Sequence, residues 1–241
     1  MEAGARVLWP EVEDLYTLMQ MRVESGHAAF EREKQGSPID LQDCEFPEQY
    51  FDDDAIWFDG WPDGLAVRVI ALDPSKGSDA RRGDYSAFVL LGIDSAGRIY
   101  VEADLARRPT PQIVCDSAVL CRRFLPAKFG VEANQFQELL AGEIDAEFRR
   151  QQIASVSIVG IHNYSNKVLR IRRLGPYLSQ RRLRFKANSA STKLLVDQLR
   201  DFPAGAHDDG PDALEMALRL AEEVWQGRNA NGGLGSRLPV G

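Results

Sequence analysis

Val67-Arg68-Val69-Ile70-Ala71-Leu72-Asp73-Pro74-Ser75-Lys76-Gly77 begins as a short apolar, β-rich run and ends in turn-forming residues, so it reads as a strand whose last position is an acid. Downstream, Tyr85 to Ile93 and Arg98 to Leu105 read as two further strands, joined by the hairpin connection Asp94-Ser95-Ala96-Gly97. After Thr110-Pro111, the residues Ile113, Val114, Val119, Leu120 and Phe124 recur at helical spacing, which predicts a helix of about 14 residues with Thr110 as its N-cap. Phe129-Gly130-Val131-Glu132 reads as a very short strand, Gln135 to Gln151 as a helix and Ser155 to Ile161 as a strand. Helices over Asn166 to Leu178, Ser191 to Arg200 and Pro211 to Gln226 follow. Hairpin-linked antiparallel strands, then strands reached through helical crossovers, define an α/β fold: a mixed central β-sheet of about five or more strands flanked by helices.

Upstream of Val67 the pattern differs. Pro10, the run Asp52-Asp53-Asp54 and Trp57-Phe58-Asp59-Gly60-Trp61-Pro62 suggest a connecting arm over residues 1–66, helical over Glu11 to Glu33. The main domain is then 67–226, and Gly232, Gly233 and Gly235 make residues 227–241 a flexible tail. No internal repeat is visible.

At 241 residues and 44% hydrophobic content, the chain can bury one substantial core. No apolar stretch reaches the length of a membrane span, and the first thirty residues lack the layout of a signal peptide, which predicts a cytoplasmic protein with no membrane partner. Cys44, Cys115 and Cys121 form no C-x-x-C pair, so neither a disulfide framework nor a structural zinc site is encoded. The net charge of −7 is unevenly spread. Between Phe148 and Val196 there is no Asp or Glu, yet eleven of the 29 basic residues lie there, among them Lys167, Arg170, Arg172, Arg173, Arg181 and Arg182. Such a window is either a solvated basic face or a polyanion site; the complete lack of acids favours the second.

Three acidic points fall at the ends of secondary structure, where open α/β sheets place their ligands. Asp73 and Glu132 end strands, and Asp208 and Asp209 begin the last helix. Individually, an Asp before Pro is a common turn former, a strand-terminal Glu is commonly solvated, and an Asp before Gly-Pro commonly caps a helix. Jointly, carboxylates from several rigid elements suit hard, hydrated divalent cations. Two such ions about 4 Å apart hydrolyse phosphodiesters, and their charge reverses the repulsion between carboxylates and phosphate.

At these residues the chain resembles a family, the C-terminal nuclease domain of the large terminase subunit of tailed bacteriophages, which has the ribonuclease H-like fold. The resemblance rests on Val69-Ile70-Ala71-Leu72-Asp73-Pro74 with Gly83-Asp84-Tyr85-Ser86-Ala87, on Val131-Glu132-Ala133-Asn134, and most specifically on His207-Asp208-Asp209-Gly210-Pro211-Asp212-Ala213-Leu214. It covers about Val67 to Trp225, and Leu8-Trp9-Pro10 and Ala29 to Gln35 echo the segment that joins such a nuclease to its motor.

The resemblance implies a Mg2+- or Mn2+-dependent endodeoxyribonuclease that cuts double-stranded DNA during genome packaging. Asp73 would be the central ligand of two ions, joined by Glu132 and Asp209, with Asp208 and Asp212 as rivals for the third place. Asp84 matches an accessory acid, His207 would orient an acid or a water, and Lys167 with Arg170 to Arg173 and Arg181-Arg182 would contact phosphates. A portal protein, a small terminase subunit and a separate ATPase motor are the implied partners, in the cytoplasm of a bacterial host of a phage or prophage. The sequence contains no G-x-x-x-x-G-K-[ST] loop, so ATP-driven translocation is not assigned to it. Competing readings are another ribonuclease H-like nuclease of junction-resolvase or transposase type, an actin-like sugar kinase or phosphatase fragment, and a non-enzymatic DNA-binding or assembly module. The kinase reading requires a second phosphate-binding glycine motif, which is absent.

Overall fold

Every residue of Val67–Asp73 except Arg68 is buried, a pattern that a strand reaches only with packed layers on both faces. The computed structural model describes residues 14, 16–18, 44–74, 85–133, 137–153 and 156–232. Its strands are β1 (Trp57–Phe58), β2 (Val67–Asp73), β3 (Ser86–Ile93), β4 (Ile99–Ala106), β5 (Lys128–Glu132), β6 (Ser157–Ile161) and β7 (Leu183–Lys186). The helices are α1 (Thr110–Phe124), α2 (Gln137–Arg150), α3 (Lys167–Arg172), α4 (Gly175–Ser179), α5 (Ala190–Asp201) and α6 (Asp209–Gly232). The strands form one sheet in the order β1-β7-β4-β3-β2-β5-β6. β3 is antiparallel to β2 and β4. The remaining pairs are parallel.

Strand alternation divides the core in two. Ile70, Leu72, Phe88 and Leu90 face α1 and α2, packing with Ile113, Phe124, Ile144 and Phe148. Val69, Ala71, Val89 and Leu91 face the other way, into a core shared with Leu195 and Leu199 of α5 and Leu214, Ala217 and Ala221 of α6. α6 approaches β5 so closely that a Cβ on Gly130 would lie 2.4 Å from Ile161 Cδ1 and 3.0 Å from Leu220 Cδ2. No helix among the described residues is long and apolar enough to cross a membrane.

The structure departs from the sequence-based expectations in several places. β7 and β1 add two strands on the β4 edge, and Phe46, Phe51 and Ile56 are buried in the α6-side core. Residues 44–66 therefore pack as part of the domain, and a boundary at 66 cuts through its sheet. The expected helix from Asn166 to Leu178 is two helices, because Gly175-Pro176 interrupts it: proline lacks an amide donor and clashes with a continuing helix. α1 begins at Thr110 with Pro109 in the cap position, so Thr110 is not its N-cap. α6 runs to Gly232, beyond the expected end at Gln226. Nearly all of the expected Glu11 to Glu33 helix, and the tail from 233 on, lie outside the described residues.

Candidate active site

Two strand ends and one helix start converge at one edge of the sheet. In the parallel pair of β2 and β5, Leu72 is registered on Val131, so the next residues, Asp73 and Glu132, end their strands side by side. By alternation, Asp73 shares the face of Val69 and Ala71, and Glu132 shares that of Gly130; both are the α6 face. α6 brings Asp209 and Asp212 in its first turn, three residues apart and so neighbours on the helix surface. The positive end of the helix dipole favours acids there.

Asp73 is only 7% exposed. Burial pushes its carboxyl well above the usual carboxylate range; the charges of Glu132 and Asp212 push further, Lys167 opposes them, and Asp209 adds a smaller push. Asp212 is also raised, mainly by burial and also by Glu132, against the opposing charges of Lys167 and Arg170. Lys167 sits inside this acidic cluster, 2.7 Å from Asp208 and 3.5 Å from Asp212. Burial disfavours its charge, but the bond to Asp208 and the charges of Asp212, Asp208 and Asp73 outweigh that and hold its ammonium above the ordinary lysine value.

The four acids of the α6 start have different partners. Asp209 Oδ2 accepts a bond from the Tyr85 amide at 3.3 Å. Asp208 is half-exposed and ion-paired with Lys167. Asp212 is buried, and Arg170 Nη2 donates to both its oxygens at 2.7 and 2.9 Å. Glu215, one turn on, is buried between Arg173 at 3.0 Å and Arg219 at 3.2 Å. His207 Nδ1 is 4.0 Å from Asp209 Oδ2, beyond hydrogen-bond reach, and the imidazole packs edge-on against Tyr85. Asp84, the expected accessory acid, lies outside the described residues.

The Glu132 carboxylate has a partner that sequence reasoning missed. Asn163, two residues past the end of β6, donates from Nδ2 to Glu132 Oε1 at 3.0 Å, and its Oδ1 accepts from Arg219 Nη2 at 2.7 Å. The only signal in the sequence is its position just after a strand.

Among the described residues, no group of three His, Cys, Asp or Glu side chains is drawn together closely enough to be a ready metal cage. The donor chemistry nonetheless fits a hydrated divalent cation. All the donors are carboxylate oxygens, and besides burial the charges of Glu132, Asp212 and Asp209 all act on Asp73, so the acids stand near enough to share one electrostatic site. Asp73, Glu132 and Asp209 would hold such an ion.

The basic window looks different in three dimensions. Acids from elsewhere in the chain pair with most of it: Glu45 with Arg172, Asp53 with Arg181, Glu102 with Lys186, Glu215 with Arg173. Arg182 donates to the Gly97 carbonyl and lies over the Tyr177 ring. The window is therefore not a uniformly free positive surface. Arg170, expected at a phosphate, is 5% exposed and bonded to Asp212, so it is not placed to meet one. Arg172 and Arg181 remain about half-exposed in weak pairs with partly exposed acids, whereas the half-exposed Arg173 is tied to buried Glu215.

A mixed sheet with helices on both faces and acids at the ends of neighbouring strands is the arrangement expected of a ribonuclease H-like fold. The family model described as "Terminase RNaseH-like domain" matches residues 70–220, well over half of the chain, and the protein belongs to that family. No curated protein matches. Among solved structures, the Fowlpox virus resolvase, determined with Holliday junction DNA, is 11% identical with a TM-score of 0.41, covering 66% of this chain and 99% of its own. Thermus thermophilus RuvC is 13% identical with a TM-score of 0.37, covering 71% of this chain and 100% of its own.

Proposed function

We propose that this domain is a metal-dependent endonuclease that cuts double-stranded DNA during viral genome packaging. The observation that carries the reading is the adjacency of Asp73 and Glu132 on parallel strands, facing the helix start that bears Asp209. Bound to these acids, two Mg2+ or Mn2+ ions would supply an activated water on one side of the phosphodiester and charge stabilisation of the leaving oxygen on the other. The remaining work belongs to the chain. Lys167, about a third exposed, is positioned to meet a backbone phosphate at the rim of the acid cluster. Arg172 and Arg181 would hold neighbouring phosphates, which gives grip without base reading. Asp208 neutralises Lys167 until DNA arrives, and Asp212 with Arg170 keeps the start of α6 in place beneath the site. Membership of the terminase family supports packaging as the setting, with the motor, portal and small subunit as partners in a bacterial cytoplasm.

Supercoiled plasmid, linear duplex and four-way junction incubated with the protein and Mn2+ or Mg2+ test this reading. Conversion of plasmid to nicked and linear forms supports it. Cleavage confined to the junction would favour a resolvase instead, and no cleavage of any substrate by folded protein would sink it.

A further inference from the structure

We infer that Asn163 is a positioning residue for Glu132, and that Arg219 fixes which way its amide faces; the inference rests on the reading of Glu132 as an ion ligand. A guanidinium carries only donors, so the Arg219 Nη2 contact at 2.7 Å must be made to the amide oxygen of Asn163. That leaves the amide nitrogen to face Glu132, where it donates to Oε1 at 3.0 Å. With the amide turned the other way, its oxygen would face the carboxylate and repel it. Arg219 is itself restrained: it donates to the His162 carbonyl at 3.3 Å and pairs at 3.2 Å with Glu215, which is buried.

The chain of contacts runs from Glu215 through Arg219 and Asn163 to Glu132. It ties a strand-end carboxylate on β5 to α6, the helix that supplies Asp209. Asn163 Nδ2 also lies 3.6 Å from Met216 Sδ of that helix. A hydrogen bond to one oxygen of a ligand carboxylate helps fix how the group faces, which is how outer partners tune a metal site. In the same loop, Tyr164 points outward, 93% exposed, so the loop turns only Asn163 inward.

Two readouts test the inference. In metal-free protein, the side-chain amide resonances of Asn163, identified by their loss in Asn163→Leu, should shift in both Glu132→Gln and Arg219→Met; resonances that neither substitution moves would overturn it. For Mn2+ followed by electron paramagnetic resonance, Asn163→Leu should weaken binding by roughly tenfold or more with an unchanged melting temperature. Arg219→Met should weaken it in the same direction, and should add nothing in the Asn163→Leu background. Wild-type binding that both variants retain would overturn the positioning role alone. Absence of Mn2+ binding by the wild type would overturn the metal-site reading and this role with it. If Asn163→Leu fails to fold, Arg219→Met carries the same test.

Discussion

Arg170 Nη2 bridges both carboxylate oxygens of Asp212, at 2.7 and 2.9 Å, in a pair almost wholly removed from solvent. Asp212 is thereby engaged by a buried guanidinium, while Asp209, one turn before it on α6, accepts from the Tyr85 amide. Breaking a buried pair by removing one member leaves the other charged and desolvated. Arg170→Met should therefore destabilise the fold by about 3–5 kcal/mol in urea or thermal unfolding. If Arg170→Met melts like the wild type and loses only DNA affinity, the structural role assigned to this arginine is wrong.

Asp73 makes the opposite prediction for stability. Its carboxyl is raised by burial and by the charges of Glu132 and Asp212, so the folded state keeps its proton to higher pH than the unfolded chain does. The group favours folding in acid, below the ordinary carboxylate value, and that contribution is lost as pH rises through the raised folded value. Near neutral pH and without divalent ions, Asp73→Asn should raise the melting temperature by roughly 2–4 °C, and the difference should vanish in acid. An unchanged or lowered melting temperature would count against the crowded-carboxylate description. The same variant should be inactive.

Gly130 tests how tightly α6 is set on β5. A methyl group there needs Ile161 Cδ1, 2.4 Å away, and Leu220 Cδ2, 3.0 Å away, to move. Gly130→Ala should cost about 1–3 kcal/mol of stability. It should also lower cleavage, because Glu132 lies two residues on in the same strand. Wild-type stability in this variant would show that the α6 contact is loose.

DNA binding should divide the basic residues into two groups. Lys167→Ala and Arg172→Ala should each weaken binding to duplexes of any sequence and reduce the salt dependence by about one phosphate contact, as measured by fluorescence anisotropy across a salt series. Exposed pairs such as Arg172 with Glu45 contribute little to stability, so the melting temperature of Arg172→Ala should not change. A loss confined to particular sequences would contradict a backbone grip.

Much of this was legible because β2 announces itself as an apolar run ending in an acid, and α6 begins with His207-Asp208-Asp209-Gly210-Pro211. The register that sets Asp73 beside Glu132 followed from neither, since parallel pairing depends on the crossover through α1. The jobs of the acids were also hidden. Asp212 is neutralised by Arg170, 42 residues away, and Asn163 reaches Glu132 across 31 residues. Local charge counting misread the basic window for the same reason: Glu45, Asp53 and Glu215, which neutralise its arginines, all lie outside it. β7 escaped notice because Leu183-Arg184-Phe185-Lys186 is only four residues long, with two buried positions alternating with two charged ones.

The most direct test of the central claim is plasmid cleavage by matched preparations of wild type and Asp73→Ala, with Mn2+ and with chelator. The account predicts nicked and linear product only for the wild type with the ion. Equal cleavage by folded Asp73→Ala, or cleavage that survives chelation, would contradict it.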